Sequence, residues 1–138
     1  MMNKAVLIAV LALCLLFPAC GGADADKDEA QEPGVWRTIS AEEANEIMSD
    51  AQGFILVDVR TEQEFQDAHI EGAILMPSSD VGTLAESMLP DKDQTILLYC
   101  RSGGRSAAAA ATLAGMGYTN VYDFGGIMSW PYGTVSGQ

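Results

Sequence analysis

The stretch TILLYCRSGGRSAAAAATLAGMG, residues 95–117, changes character twice within a few positions. Five strand-forming residues come first, and Cys100 follows them directly. Two arginines and two glycines come next, and an alanine-rich run then favours a helix that begins near Ser106 and is capped at Gly117. The stretch therefore predicts a buried strand, a tight loop that starts with one thiol, and a helix.

Strand and helix signals alternate along the rest of residues 35–138. The runs VWRTI, FILVDV, GAILMP and TNVYDF predict strands, while VGTLAESML and GGIMSW predict helices. Two more helices are predicted from capping boxes, at Ser40 with Glu43 and at Thr61 with Glu64. This alternation indicates a single α/β domain, with a mainly parallel central sheet covered by helices on both faces.

The loop after Cys100 has the composition of an anion site. Ligands of such folds bind beyond the carboxyl ends of the strands, where Cys100 lies. Gly103 and Gly104 allow the loop amides to point inward, and the helix N-terminus adds partial positive charge. Together with Arg105 they predict a lowered pKa for the thiol, and hence a nucleophilic thiolate. The alternative is a small buried apolar residue at a strand end.

The N-terminal segment differs from the rest of the chain. Residues 1–19 hold Lys4, an apolar run and a small residue ahead of Cys20, which predicts a secretory signal peptide. A single uncleaved anchoring helix is the alternative, although the apolar run is short for a membrane span. Residues 20–34 are acidic and small, and they predict a disordered tether before a domain at 35–138.

Charge and cysteine content limit the classes of partner and chemistry that the sequence predicts. Removing residues 1–19 moves the formal net charge from −12 to −13, since the segment holds one lysine and no acid, and such a chain repels nucleic acid. Cys14 would leave with the signal and Cys20 would be a lipid attachment point, so Cys100 would be the one free thiol. With a single histidine, His69, the sequence predicts no metal site, and it predicts no cofactor.

CRSGGRSA, residues 100–107, resembles the active-site loop of the rhodanese family, sulfurtransferases that carry sulfur as a cysteine persulfide. LVDVRTEQEFQDAHIEGAILMP and MGYTNVYDFGGIMSW resemble two further signatures of that family. The resemblance runs from about Val35 to about Gly133. It implies a single rhodanese-like domain with the thiosulfate type of sulfurtransferase activity.

The resemblance also implies roles for individual residues. Cys100 would attack a small anionic sulfur donor such as thiosulfate, and a thiol, cyanide or a protein would accept the sulfur. Asp58 and Arg60 would either shape the site or form a buried ion pair, His69 would hold a loop rather than act as a base, and Trp130 would cover the core. The residues that would bind the donor are Arg101, Ser102, Gly103, Gly104 and Arg105.

Two other functions remain open. The Cys-x4-Arg spacing is one residue shorter than the Cys-x5-Arg loop of related phosphatases and arsenate reductases, so phosphate chemistry is disfavoured. A persulfide carrier, which receives sulfur from a partner protein and has little free turnover, is the second alternative.

The residues Phe17-Pro18-Ala19-Cys20 resemble the end of a bacterial lipoprotein signal. The resemblance implies cleavage before Cys20 and lipid attachment to it. The domain would then be exported and would face the periplasm or the cell exterior, touching the membrane only through its lipid. Gly21 after the cysteine implies the outer membrane if the host is Gram-negative. Ordinary signal-peptidase cleavage is the alternative.

Overall fold

The structure is a computed structural model that describes residues 34–50 and 52–137. The predicted signal peptide, Cys20 and the predicted tether up to residue 33 lie outside the described residues. None of the described helices has the length and apolarity needed to cross a membrane. The elements are β1 (Trp36–Thr38), α1 (Ala41–Asp50), β2 (Phe54–Asp58), α2 (Glu62–Asp67), β3 (Ile74–Leu75), α3 (Val81–Met88), β4 (Thr95–Cys100), α4 (Gly104–Gly115), β5 (Val121–Gly126) and a 3-10 turn, Ile127–Ser129.

The five strands form one sheet in the order β1-β5-β4-β2-β3, and every neighbouring pair is parallel. The predicted α/β fold with a parallel sheet is therefore confirmed. β4 is the central strand, so its carboxyl end, at Cys100, is flanked by the ends of β5 and β2. This is the edge at which parallel sheets bind ligands.

Side chains alternate along the buried strands, so both faces of the sheet are apolar. Helices cover both faces. On β4, Ile96, Leu98 and Cys100 point into a core that they share with residues of α3 and α4. Leu97 and Tyr99 point to the other face, into a core that includes a buried alanine of α1. The thiol thus lies on the face that α4 covers.

Both predicted capping boxes are present. The Ser40 amide donates to Glu43 at 2.7 Å and the Glu43 amide donates to Ser40 Oγ at 3.0 Å, at the start of α1. Thr61 and Glu64 make the same reciprocal pair at the start of α2. These local hydrogen bonds satisfy amides that a helix N-terminus otherwise leaves free.

Three boundaries differ from the sequence prediction. The helix predicted at GGIMSW is only a 3-10 turn, because Trp130 precedes a proline and takes an extended conformation. The helix expected near Ser106 begins at Gly104, which moves Arg105 from the loop into the helix. The sequence places Gly34 in the tether, but its amide donates to Ala114 O at 2.8 Å and so contacts the folded domain.

Candidate active site

The cysteine loop, residues 100–105, turns the chain from β4 into α4 within three residues. The turn is possible because Gly103 has φ +112°, a left-handed conformation that favours glycine. It aims the Gly103 amide back at Cys100, whose Sγ accepts this N–H at 3.0 Å. The loop therefore places a backbone donor and the N-terminus of α4 against one sulfur.

Ser106, in the first turn of α4, is a second donor to the sulfur. It is fully buried, and its Oγ lies 3.4 Å from Cys100 Sγ, 3.1 Å from Gly103 O and 3.2 Å from Gly125 O. A hydroxyl has one proton, so these three acceptors compete for it. A negative sulfur is the strongest acceptor of the three, and we therefore expect the proton to turn to Sγ when Cys100 ionises.

The balance of these effects gives Cys100 a lowered pKa. Burial raises the pKa of the thiol, but hydrogen bonds from the Ser106 side chain, and from the amides of Ser106, Gly103 and Ser102, outweigh it. The predicted direction is confirmed. The predicted amide donors are among the causes, but the largest favourable contribution comes from the Ser106 side chain, which the sequence prediction missed. The available signal was a hydroxyl in the first turn of a helix that follows a strand-end cysteine.

The end of strand β5 packs directly against the backbone of the cysteine loop. A Cβ on Gly126 would collide with the carbonyl oxygen of Arg101, so only glycine fits there. Gly125 has φ +87°, and its amide donates to the buried Asp123 carboxylate at 2.9 Å. The sheet register between β4 and β5 shifts at this point, where Cys100 pairs with Gly126. The shape of the cysteine loop is thus set by close backbone contact with β5.

Arg105 does not point into the loop as predicted. Its guanidinium makes two hydrogen bonds to the Glu64 carboxylate, at 2.7 and 2.9 Å, and so ties α4 to α2. Arg101 and Ser102 are exposed at the loop. The donor-binding role of Arg101, Ser102 and Arg105 stays a prediction. In the structure, the partner of Arg105 is a carboxylate.

Asp58 and Arg60 form a buried ion pair beside the site. Arg60 donates to both Asp58 oxygens at 2.7 to 3.1 Å and to Ala68 O at 2.5 Å. Asp58 is fully buried and Arg60 is 5% exposed, so the pair braces the end of β2 against the segment after α2. Of the two predicted roles, the geometry favours the ion pair.

His69 and Trp130 also have structural contacts. The His69 ring stacks on Phe65 with centroids 3.9 Å apart, and its Nδ1 lies 2.8 Å from Phe65 O. Trp130 packs on the α1 side of the core, where its ring lies 5.4 Å from that of Phe124. Among the described residues, no group of three His, Cys, Asp or Glu side chains is placed to hold a metal ion.

A cleft of about 220 Å³ adjoins the loop. The amide of Met128, in its wall, lies 3.3 Å from Arg101 O, which joins the cleft to the loop backbone. Cys100 itself is 1% exposed, so little of the residue is directly accessible to a donor. The cleft is lined by Arg60, Glu64, Asp67, Ala68, Arg101, Ile127 and Met128.

The fold and the site define an α/β protein with a hydrogen-bonded, acidified thiol between a central parallel strand and a helix N-terminus. Residues 40–131 match the rhodanese-like domain, and the chain belongs to this family.

Named relatives associate the domain with sulfur transfer. The chain is 38% identical over 71 residues to thiosulfate sulfurtransferase PspE of Escherichia coli, covering 51% of this chain and 68% of that protein. It is 36% identical over 93 residues to a sulfurtransferase of Allochromatium vinosum, covering 67% and 85%. It is also 33% identical over 104 residues to the probable adenylyltransferase/sulfurtransferase MoeZ of Mycobacterium tuberculosis, covering 75% of this chain but 26% of MoeZ.

Solved structures agree on the fold. A rhodanese from E. coli, solved with anions, superposes with a TM-score of 0.57 at 35% identity, covering 60% of this chain and 98% of that one. A rhodanese-like domain protein from Staphylococcus aureus superposes with a TM-score of 0.63 at 25% identity, covering 74% and 99%.

The Ser106 contact predicts a shift in thiol reactivity. In Ser106→Ala the pKa of Cys100 should rise, because the thiolate loses a hydroxyl donor. Alkylation by iodoacetamide below the pKa should then slow about tenfold or more, since a hydrogen bond to a charged group contributes about 1.5–3 kcal/mol. The rates of the two proteins should converge as pH rises above both pKa values. Thr112→Ala, which removes an exposed hydroxyl from the same helix, is the control. Superimposable pH profiles of Ser106→Ala and the wild type would contradict the assignment.

The contact between Gly126 and Arg101 predicts a sharp difference between two glycines. Gly126→Ala should displace the cysteine loop and lower the free energy of unfolding by about 1–3 kcal/mol, a cost typical of overpacking. Gly115→Ala, at the end of α4 with open space around its Cα, should be neutral or slightly stabilising. Urea denaturation and the rate of Cys100 alkylation measure both effects. Equal stability of the two variants would show that the close contact has no energetic consequence.

Proposed function

We propose that this domain is a sulfurtransferase that moves a sulfane sulfur through a persulfide on Cys100. The observation that carries the proposal is the hydrogen-bonded sulfur of Cys100, with its lowered pKa, at the N-terminus of α4. Thiolate is the nucleophilic form of cysteine, and a lowered pKa increases the thiolate fraction at a given pH. The sulfurtransferase names of the relatives support the same reaction class.

The proposed reaction has two displacements. The Cys100 thiolate attacks the outer sulfur of thiosulfate or a similar donor, the donor S–S bond breaks, and sulfite leaves with the electron pair. An acceptor nucleophile, such as cyanide, a thiol or a partner protein, then attacks the outer sulfur of the persulfide, and Cys100 leaves as thiolate. No external oxidant or reductant enters. The amides that hold the thiolate would also hold the leaving Cys100 sulfur of the second step.

The loop would present the donor to the sulfur. Arg101 is exposed next to Cys100 and is available to meet an anion, while Ser102, Gly103 and Gly104 contribute backbone amides. A related structure, the rhodanese from E. coli, was solved with anions, which supports anion binding by a domain of this family. The Cys-x4-Arg spacing favours this reading over phosphate chemistry.

A persulfide carrier is the second candidate. Cys100 is 1% exposed, which favours a route in which a docked partner opens the loop. A carrier would take up sulfur on Cys100 but would show little turnover with free thiosulfate and cyanide. The two candidates therefore differ in steady-state rate and not in the modified residue.

Replacing Cys100 with Ser should reduce transfer from thiosulfate to cyanide to the uncatalysed rate, because serine cannot carry a persulfide. Thiocyanate formation measures the rate, and circular dichroism checks the fold. Ser87→Ala, on the exposed side of α3, is the control and should keep the wild-type rate. Near-wild-type turnover by folded Cys100→Ser would overturn the catalytic assignment. Wild-type protein that loads sulfur without turnover would select the carrier.

We also propose that the chain is exported and lipid-anchored through Cys20, a residue outside the described structure. The proposal rests on the residues Phe17-Pro18-Ala19-Cys20 and on the apolar run before them. In cells, Cys20→Ala should accumulate as unprocessed precursor, while the wild type should fractionate with membranes and carry acyl mass on Cys20. A soluble wild-type protein without acyl mass would leave plain secretion, and a full-length cytoplasmic pool would overturn export.

A further inference from the structure

Three arginines lie at the site, but two of them are bound to carboxylates. Arg60 holds Asp58 within the buried ion pair, and Arg105 holds Glu64 with two hydrogen bonds. Arg101 is exposed, and within residues 34–50 and 52–137 no carboxylate forms an ion pair with it. The positive charge that faces a donor is therefore smaller than the number of arginines suggests.

Glu64 is fixed from two directions. Its Oε2 accepts the Thr61 amide and the Thr61 hydroxyl, each at 3.1 Å, within the capping box of α2. The same Oε2 also accepts from Arg105 Nη1, and Oε1 accepts from Arg105 Nη2. The hydrogen bond from Arg105, ahead of those from Thr61, lowers the pKa of Glu64 to about 2, so the carboxylate is ionised at neutral pH. A negative charge is thus permanently placed at the wall of the cleft.

The charges around the loop nearly cancel. The carboxylates of Glu64 and Asp67 line the same cleft as Arg101. The hydrogen bond to Glu64 contributes most to the raised pKa of Arg105, and the negative charge of ionised Cys100 adds to it, so the Arg105–Glu64 pair lies within electrostatic range of the thiol. The entrance to the cysteine loop, here called its mouth, is bordered by Arg101 and by the Arg105–Glu64 pair. Because the electrostatic interaction scales with the product of the charges, a mouth close to neutral attracts a dianion less than three free arginines would.

We propose that Glu64 is a specificity-determining residue, which holds Arg105 and keeps the mouth of the cysteine loop near neutrality, so that the loop selects sulfur donors with one negative charge or none over dianions. The substrate class this favours is the organic sulfane-sulfur donor, such as an alkyl persulfide or a thiosulfonate. Thiosulfate, a dianion, is then a usable but disfavoured donor. This inference rests on the proposed function, and Glu64 acts through Arg105 and through its own charge, without touching the reacting sulfur.

The variant Glu64→Gln removes the charge and is expected to keep the fold. Glutamine serves as well as glutamate at the third position of a capping box, so α2 retains its N-terminal hydrogen bonds. Glu62→Gln is the matched control, because Glu62 lies in the same first turn and its carboxylate contacts Gln66 and not an arginine. Both variants change the net charge of the chain equally.

The first readout is alkylation of Cys100, which does not depend on sulfur transfer. The measured quantity is the ratio of the second-order rate constants for iodoacetate, an anion, and iodoacetamide, which is neutral, at a pH above the thiol pKa. Glu64→Gln should raise this ratio about threefold, as expected when one unit charge is removed at short range in a solvated site. Glu62→Gln should leave it unchanged. An unchanged ratio in Glu64→Gln, or an equal rise in both variants, overturns the inference.

The second readout compares two donors. Methanethiosulfonate is a monoanion that gives up its outer sulfur as thiosulfate does, with methanesulfinate as the leaving group. Glu64→Gln should raise kcat/KM about tenfold for thiosulfate and about threefold for methanethiosulfonate, because a dianion feels the removed charge twice. Both gains should shrink at about 1 M salt. Equal gains for the two donors overturn the inference. Absence of turnover in every variant, with the alkylation ratio still shifted, counts against the proposed function and leaves the charge effect of Glu64 standing.

Discussion

The backbone of Gly126 lies against the carbonyl of Arg101, and the geometry of the cysteine loop depends on this close approach. With no side chain on β5 at this point, the loop can fold down onto the strand. Gly103 then lies near Gly125, where a Cβ on Gly103 would be 3.4 Å from the Gly125 Cα. The left-handed turn at Gly103 directs its amide at Cys100 Sγ and begins α4 one residue later. One tight contact between two backbones thus determines where the thiol finds its hydrogen-bond donors.

Two ion pairs connect the segments around the thiol, and they differ in how deeply they are buried. The Asp58–Arg60 pair is buried and satisfied by several hydrogen bonds, so breaking it would leave a charge without a partner in the interior. The Arg105–Glu64 pair is partly solvated, with about a third of each side chain exposed, and its contribution to stability is correspondingly small. In the proposed role of Glu64, the pair matters because it neutralises the positive charge that Arg105 would otherwise present to a donor.

The fold was predictable because its signals are local. The capping boxes at Ser40 and Thr61 span three residues each, and the apolar runs of β2 and β4 are continuous. The position of Cys100 at a strand end and the lowered pKa of its thiol followed from the same kind of local pattern.

The details that the sequence did not predict depend on contacts between distant segments. Arg105 and Glu64 are 41 residues apart, and no local pattern joins them. Helix α4 begins earlier than its alanine run indicates because β5 supports the turn at Gly103. Ser106 was visible as a residue type, but its reach to Sγ depends on where that turn places the helix.

The central claim is that the sulfur held by the Gly103 amide and the Ser106 hydroxyl is the atom that carries sulfur. The most direct measurement is the intact mass of the wild-type protein after incubation with excess thiosulfate and removal of the donor, followed by peptide mapping. The account predicts one added sulfur atom on Cys100, which cyanide then removes. A protein that keeps its unmodified mass, with Cys100 still open to alkylation after the incubation, would contradict it.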